Sequence, residues 1–122
     1  MTHAPTLCGE RTALPASLVA AARKFAPPGA TSPDDVQREL RCTLEQHPLG
    51  DHHAFVMELP GATSGAVWTR WTRGHHPTTV FVLPDCTHAS PPPSAEPCCE
   101  FTAHPGAHSW QLHDTWQPEP TA

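Results

Sequence analysis

Sixteen of the 122 residues are proline, and this constrains the fold more than any other feature. Proline removes a backbone donor and breaks helix interiors and central strands, so there is room for few long elements. Residues that build a core are scarce as well. Leu, Val, Phe and Ile together number nineteen, about 16% of the chain, against the roughly 20% below which disorder becomes the default for a strongly charged sequence. The net charge of -5 is small, so self-repulsion does not force the chain open. A short, proline-rich chain with so sparse a core needs a further source of stability, and a bound metal is a standard one.

Charge and cysteine usage narrow the chemistry. All seven basic residues (Arg11, Arg23, Lys24, Arg38, Arg41, Arg70 and Arg73) precede position 74, while residues 74–122 hold five acids and six of the ten histidines. Nucleic-acid binding needs a concentrated positive footprint, which the histidine-rich half lacks. The apolar run after Leu14 follows Glu10, runs into Arg23-Lys24 and lacks a cleavage-like site, unlike an export signal. No stretch approaches the ~20 apolar residues of a membrane helix. These features imply a cytoplasmic protein, where thiols stay reduced and clustered Cys and His read as metal ligands before disulfides. Ile, Asn and Tyr are absent and Lys occurs once; these are residues with AT-rich codons, which points to a GC-rich bacterial genome.

Periodicity divides a single domain, 1–122, into four parts. A helical part, 12–50, follows a loose lead. Leu14 to Phe25 has helical spacing, and Pro27-Pro28-Gly29 ends it. A second helix is expected after Ser32, with Pro33 first, Asp34 and Asp35 in the first turn, and Val36, Leu40 and Leu44 as its apolar stripe. Residues 51–84 read as an antiparallel meander of three strands: HHAFVMEL with Phe55, Met57 and Leu59 on one face, then AVWTRWTR, then TTVFVL, with turns at Pro60-Gly61 and 74–77. Residues 85–116 read as a Pro/Ser-rich loop followed by a hairpin of CCEFTA and HSWQLHD, and 117–122 as a frayed tail. The expected fold is α+β: two N-terminal helices packed on a three-stranded antiparallel sheet, with a metal-stapled C-terminal β-hairpin.

The staple is read from CCEFTAHPGAH. Zinc takes four thiolate or imidazole ligands at tetrahedral angles, commonly as pairs held by tight turns. His104 and His108 flank Pro105-Gly106, a turn tight enough for both rings to converge. Upstream, Cys86, Cys98 and Cys99 can complete the set. The preferred ligands are Cys86, Cys98, His104 and His108, with Cys99 and His88 as alternates.

Cys98, His104, Gly106 and His108 form a C-x5-H-x-G-x-H pattern. It resembles a short metal-binding tail of small actinobacterial and actinophage proteins of unknown function. The resemblance covers about a dozen residues; it implies structural zinc with an earlier cysteine ligand, and favours Cys98 over Cys99. Ala103 stands where that pattern would carry glycine.

The remaining candidates are read more plainly. Cys8 and Cys42 are isolated and expected to be small apolar residues. His52-His53 and His75-His76 are expected as exposed turn residues, a second metal site or pH-sensitive site being the alternative. Trp68, Arg70, Trp71 and Arg73 interleave aromatic and basic side chains on the middle strand, where core packing competes with an interaction surface. Glu100 and Asp114 lie near enough to serve a catalytic metal, but no HExxH or deaminase motif accompanies them. The function expected is a small zinc-binding interaction or regulatory module with a protein partner. The alternatives are a winged-helix-like DNA-binding regulator and a small zinc hydrolase.

Overall fold

A computed structural model describes residues 5–47, 50–59 and 65–112. The expected tail, Asp114, the Pro60-Gly61 turn and the end of the expected C-terminal hairpin lie outside the described residues. The fold is mixed α+β. Strand β1 (Arg11–Ala13), helix α1 (Ala16–Arg23) and strand β2 (Glu39–Arg41) are followed by β3 (His52–Glu58), β4 (Gly65–Trp71) and β5 (Val80–Pro84). β1 pairs antiparallel with β2, and β3-β4-β5 form a separate antiparallel meander.

The first helix is where its periodicity placed it, two residues shorter at each end, and the meander matches the expected strand order. The second helix is not there. Its start signals produce one 3-10 turn, Pro33–Asp35, in which the Ser32 N–H donates to the Asp35 carboxylate at 2.8 Å. Val36 then leaves the helical region, at φ -93 and ψ 124, and Gln37 N–H donates to the Val56 carbonyl at 2.8 Å. Val36, Leu40 and Leu44 are buried as expected, but so is Cys42, whereas Arg38 is exposed. Four-residue spacing fits both a helix and every second turn of a strand's two-residue period, and the buried Cys42 belongs to the strand.

The expected loose lead pairs with this extended segment. Leu14 N–H donates to Arg38 O, Cys42 N–H to Glu10 O, Cys8 N–H to Leu44 O and Gln46 N–H to Thr6 O, each at 2.8 Å. Gly9 N–H donates to Cys42 O at 2.9 Å, so Gly9 and Glu10 together oppose Cys42. That is a β-bulge, and it rests on a glycine at φ +75.

The meander has two covered faces. In β3 the register shifts between Phe55 and Met57. Phe55 therefore points outward at 37% exposure while Ala54, Val56 and Met57 are buried, and the expected Phe55-Met57-Leu59 face is broken by the bulge. Trp68, opposite Phe55 and Phe81, is covered by Phe101, whose ring lies 5.0 Å away edge-on. The other face carries Val67, Thr69 and Trp71 into the core. Both tryptophans of the expected interaction surface are thus buried, and of its four residues Arg70 and Arg73 are exposed. Arg70 lies over the Phe81 ring at 5.5 Å, and Arg73 stands 3.9 Å from the Glu10 carboxylate.

Along β2, where exposed Glu39 adjoins buried Leu40, Leu40→Ala should cost about 2–5 kcal/mol in denaturant unfolding while Glu39→Ala costs less than about 0.5 kcal/mol. Equal effects would contradict the alternating burial.

Candidate metal centres

The C-terminal segment folds as a hairpin, though not the expected one. CCEFTA pairs with the start of the Pro/Ser loop. Cys86 N–H donates to Glu100 O at 2.9 Å, Thr102 N–H to Pro84 O at 2.8 Å, Cys98 N–H to His88 O at 2.9 Å and Ser90 N–H to Glu96 O at 2.8 Å. Residues 84–90 and 96–102 thus run antiparallel, with Cys86 and Cys98 near the middle of the ladder. The loop expected to be irregular is a hairpin around its proline tip, and Ser109–Gln111, expected as strand, is a 3-10 turn.

Beyond Phe101 the chain doubles back and delivers two imidazoles. Cys98 Sγ lies 3.5 Å from His104 Nε2, Cys86 Sγ 3.7 Å from His108 Nδ1, and the two imidazole nitrogens 3.2 Å apart. The ligand atoms of Cys86, Cys98, His104 and His108 all lie within 4.8 Å of one another, and the group could hold a metal ion. Of the alternates, His88 is near, with Nδ1 3.5 Å from Cys86 Sγ and its ring stacked on His108. Cys99 is exposed, with its own N–H donating to Ser109 Oγ at 2.8 Å.

The surroundings orient these ligands. Ser109 N–H points at Cys98 Sγ at 3.5 Å, a contact that fixes where the sulfur sits. His104 Nδ1 lies 3.3 Å from the Pro105 carbonyl, so the tautomer that donates there leaves Nε2 as a lone pair for a metal. Trp110 stacks on His108 at 4.6 Å.

A second group was not foreseen. Cys8, Cys42, His47 and His52 also bring one ligand atom each within 4.8 Å of one another. The bulge at Gly9 sets Cys8 beside Cys42 across the N-terminal ladder. His47 and His52 flank the connection into β3. Cys42 Sγ lies 3.6 Å from His47 Nε2 and Cys8 Sγ 3.4 Å from His52 Nδ1. Cys8 and Cys42 are therefore paired in space rather than isolated, and His52 is buried at 6% exposure, not an exposed turn residue. His53, one position on, faces the other side of the sheet and packs on Phe101 at 5.1 Å. His75 and His76 are exposed. One sequence signal was available. His47-Pro48-Leu49-Gly50 and His104-Pro105-Gly106 are alike in sequence, each preceded within six residues by a cysteine.

The two groups touch. Ala107 N–H donates to Glu45 Oε1 at 2.8 Å, tying the turn between His104 and His108 to the segment between Cys42 and His47. A Cβ at Gly106 would sit 2.7 Å from Glu45 Cβ, and its φ is +79, so both space and backbone require glycine there. Ala103 also lies in the left-handed region, at φ 65. Glycine at that position is what the C-x5-H-x-G-x-H resemblance implied.

Burial opposes charge at both groups. It pushes the Cys42 thiol up to about 12, the neighbouring Cys8 adding to this and the backbone of His53 and Leu44 pulling it back. Burial also raises the Cys86 thiol and lowers His52, with His47 nearby acting the same way. His108 is lowered by desolvation and by His88 and His104. These shifts favour the protonated thiol at Cys42 and Cys86 and the neutral imidazole at His52 and His108, and a divalent cation displaces thiol protons on binding. Glu100 is buried too, and burial pushes its carboxyl up to about 7, the nearby Thr43 hydroxyl pulling the other way.

Together these features define a small α+β protein with two Cys/His groups, each able to hold a metal ion. No protein-family model, curated protein or solved structure matches the chain. No helix among the described residues is long and apolar enough to cross a membrane.

Metal uptake at neutral pH should release at least one proton per ion, from Cys42 in one group and Cys86 in the other, measurable in weakly buffered dye solution. Release of none would mean the thiols are already ionised. His52 and His108 titrate below their ordinary value of 6.5, so the unfolded chain takes up protons first as pH falls. Their contribution to stability is complete above about pH 6.5 and is lost below it, which thermal melts between neutral and acid pH would follow. Gly106→Ala should destabilise by more than about 1 kcal/mol, and Ala103→Gly should stabilise by up to about 1 kcal/mol; the opposite signs would contradict the turn geometry.

Proposed function

We propose that the protein is a small zinc protein in which two structural zinc ions hold the fold, and that it serves as a protein-interaction or regulatory module. The observation that carries this reading is that each group supplies four protein ligands, two thiols and two imidazoles, within 4.8 Å. Four protein ligands close the coordination shell, as in structural sites, whereas catalytic zinc keeps a position open. A zinc tetrahedron with ordinary bond lengths has edges of about 3.3 Å between nitrogens and about 3.6 Å between sulfur and nitrogen. The separations of 3.2 Å for His104–His108 and 3.4–3.7 Å for the sulfur–nitrogen pairs agree with both. Mixed thiolate and imidazole ligation favours zinc over hard cations, and the likeness of the Cys98–His108 tail to small actinobacterial zinc-binding tails agrees.

A protein partner suits the chain better than nucleic acid. The net charge is -5, and the winged-helix alternative requires a second helix where residues 36–44 are extended. The hydrolase alternative requires His108 to leave an open position, whereas it closes the C-terminal group.

Untagged protein should carry about two zinc ions per chain. Cys98→Ser or His104→Ala should lose one, and Cys42→Ser the other. A chelator should lower Tm by tens of degrees or abolish the folding transition, because structural zinc contributes on the order of 10 kcal/mol in small modules. Metal-free protein that melts like the loaded form would remove the proposal, and salt-dependent binding to random duplex DNA would restore the nucleic-acid reading.

A further inference from the structure

His88 stands beside the C-terminal group without belonging to its four ligands. It lies two residues from Cys86 on the ladder, and the period of two sends both side chains to one face. The His88 carbonyl accepts from Cys98 N–H at 2.9 Å, which fixes its backbone against the segment that carries the other thiol. His88 Nδ1 reaches to 3.5 Å from Cys86 Sγ, while His108 Nδ1 lies 3.7 Å from the same sulfur. Both separations match the edge of about 3.6 Å between sulfur and nitrogen in a zinc tetrahedron.

The two rings lie side by side, with centroids 4.7 Å apart and planes 29° from parallel, and each offers its Nδ1 to one thiol. A tetrahedral ion held by Cys86, Cys98 and His104 has one position left, so two imidazoles compete for it. Zinc has no geometric preference from its d-electrons and accepts a fifth ligand in passing, so an incoming ring binds before the outgoing one leaves. Neither ring is locked by burial, His88 being exposed and His108 half-buried. The N-terminal group differs: its Cys42 is 0% and its His52 6% exposed.

We infer that His88 and His108 are interchangeable fourth ligands of the C-terminal ion. This rests on the reading of that group as a zinc site. With His88 bound, the donor set is still two thiolates and two imidazoles, and three of the four then belong to the hairpin 84–90/96–102. His108 comes free, and Trp110, stacked on it at 4.6 Å, moves with it. The segment His108–Leu112 thus detaches from the ion while the ion stays and the hairpin remains closed. The site is a metal-held clasp with two closed states, one that holds the segment after His104 and one that lets it go.

The test counts zinc in the full chain after equilibration with a chelator of moderate strength, for His88→Ala, His108→Phe and the double variant. Phenylalanine keeps a ring against Trp110 but has no nitrogen to offer. Wild type and each single variant should hold both ions, one per group, and the double variant should lose the C-terminal one. Its affinity there should fall by more than the roughly hundredfold that loss of an outer partner can cause. In nitrogen-15 spectra of His108→Phe, the His88 Nδ1 signal should move to the metal-bound range. Loss of an ion from either single variant, retention of both by the double variant, or an unmoved His88 signal would overturn the inference and leave the structural-zinc reading standing. A wild-type chain that takes up no zinc would overturn both.

Discussion

The convergence of sulfur and nitrogen atoms at two points holds segments that have little else to hold them. β1 and β2 are three residues each, and the hairpin 84–90/96–102 ends in a run of prolines. Neither ladder has enough pairing or apolar surface to persist by itself. What they share is a pair of cysteines drawn together across the ladder and a pair of histidines brought in by the turn that follows. A metal held at each point would add stability on the order of 10 kcal/mol, comparable with the whole net stability of an ordinary domain at about 5–15 kcal/mol. The core then needs only to be continuous, and it is, from Leu14, Val19 and Ala22 through Leu40 and Leu44 to Val56, Val67 and Trp68.

Much of this was legible in the sequence because its signals were local. The meander has alternating β-branched and aromatic residues, and the C-terminal ligands fall within a short stretch around one Pro-Gly turn. The first group was hidden by distance and by an ambiguous period. Cys8 and Cys42 are brought together by strand pairing that spans thirty-odd residues of sequence. The stripe of Val36, Leu40 and Leu44 answers to helix and strand alike, and good helix-start residues at Ser32 and Pro33 tipped the reading towards helix. Tertiary pairing overrode local preference there, and the bulge in β3 reversed the expected side for Phe55 in the same way. Burial of Trp68 depended on Phe101 arriving from far along the chain, which no local pattern announces.

The two groups are joined at more than one point. Glu45 meets the Gly106-Ala107 turn on one side, and on the other His53 and Trp68 receive Phe101. Adjacent histidines on β3 divide the labour: His52 turns to the Cys8/Cys42 group, His53 to the ring beneath the C-terminal group. The two groups thus share neighbours that touch both.

The ligand spacing also sets an order of assembly. The first group closes a loop between Cys8 and His52, a separation of 44 positions, and the second between Cys86 and His108, a separation of 22. Each doubling of a flexible loop adds about 0.6 kcal/mol of closure entropy. With a metal closing each ring, refolding from the fully unfolded state would favour the C-terminal ring first by that margin. A chain emerging from the ribosome exposes residues 8–52 well before residue 86, so synthesis reverses that sequence and lets the costlier ring form without competition from the cheaper one.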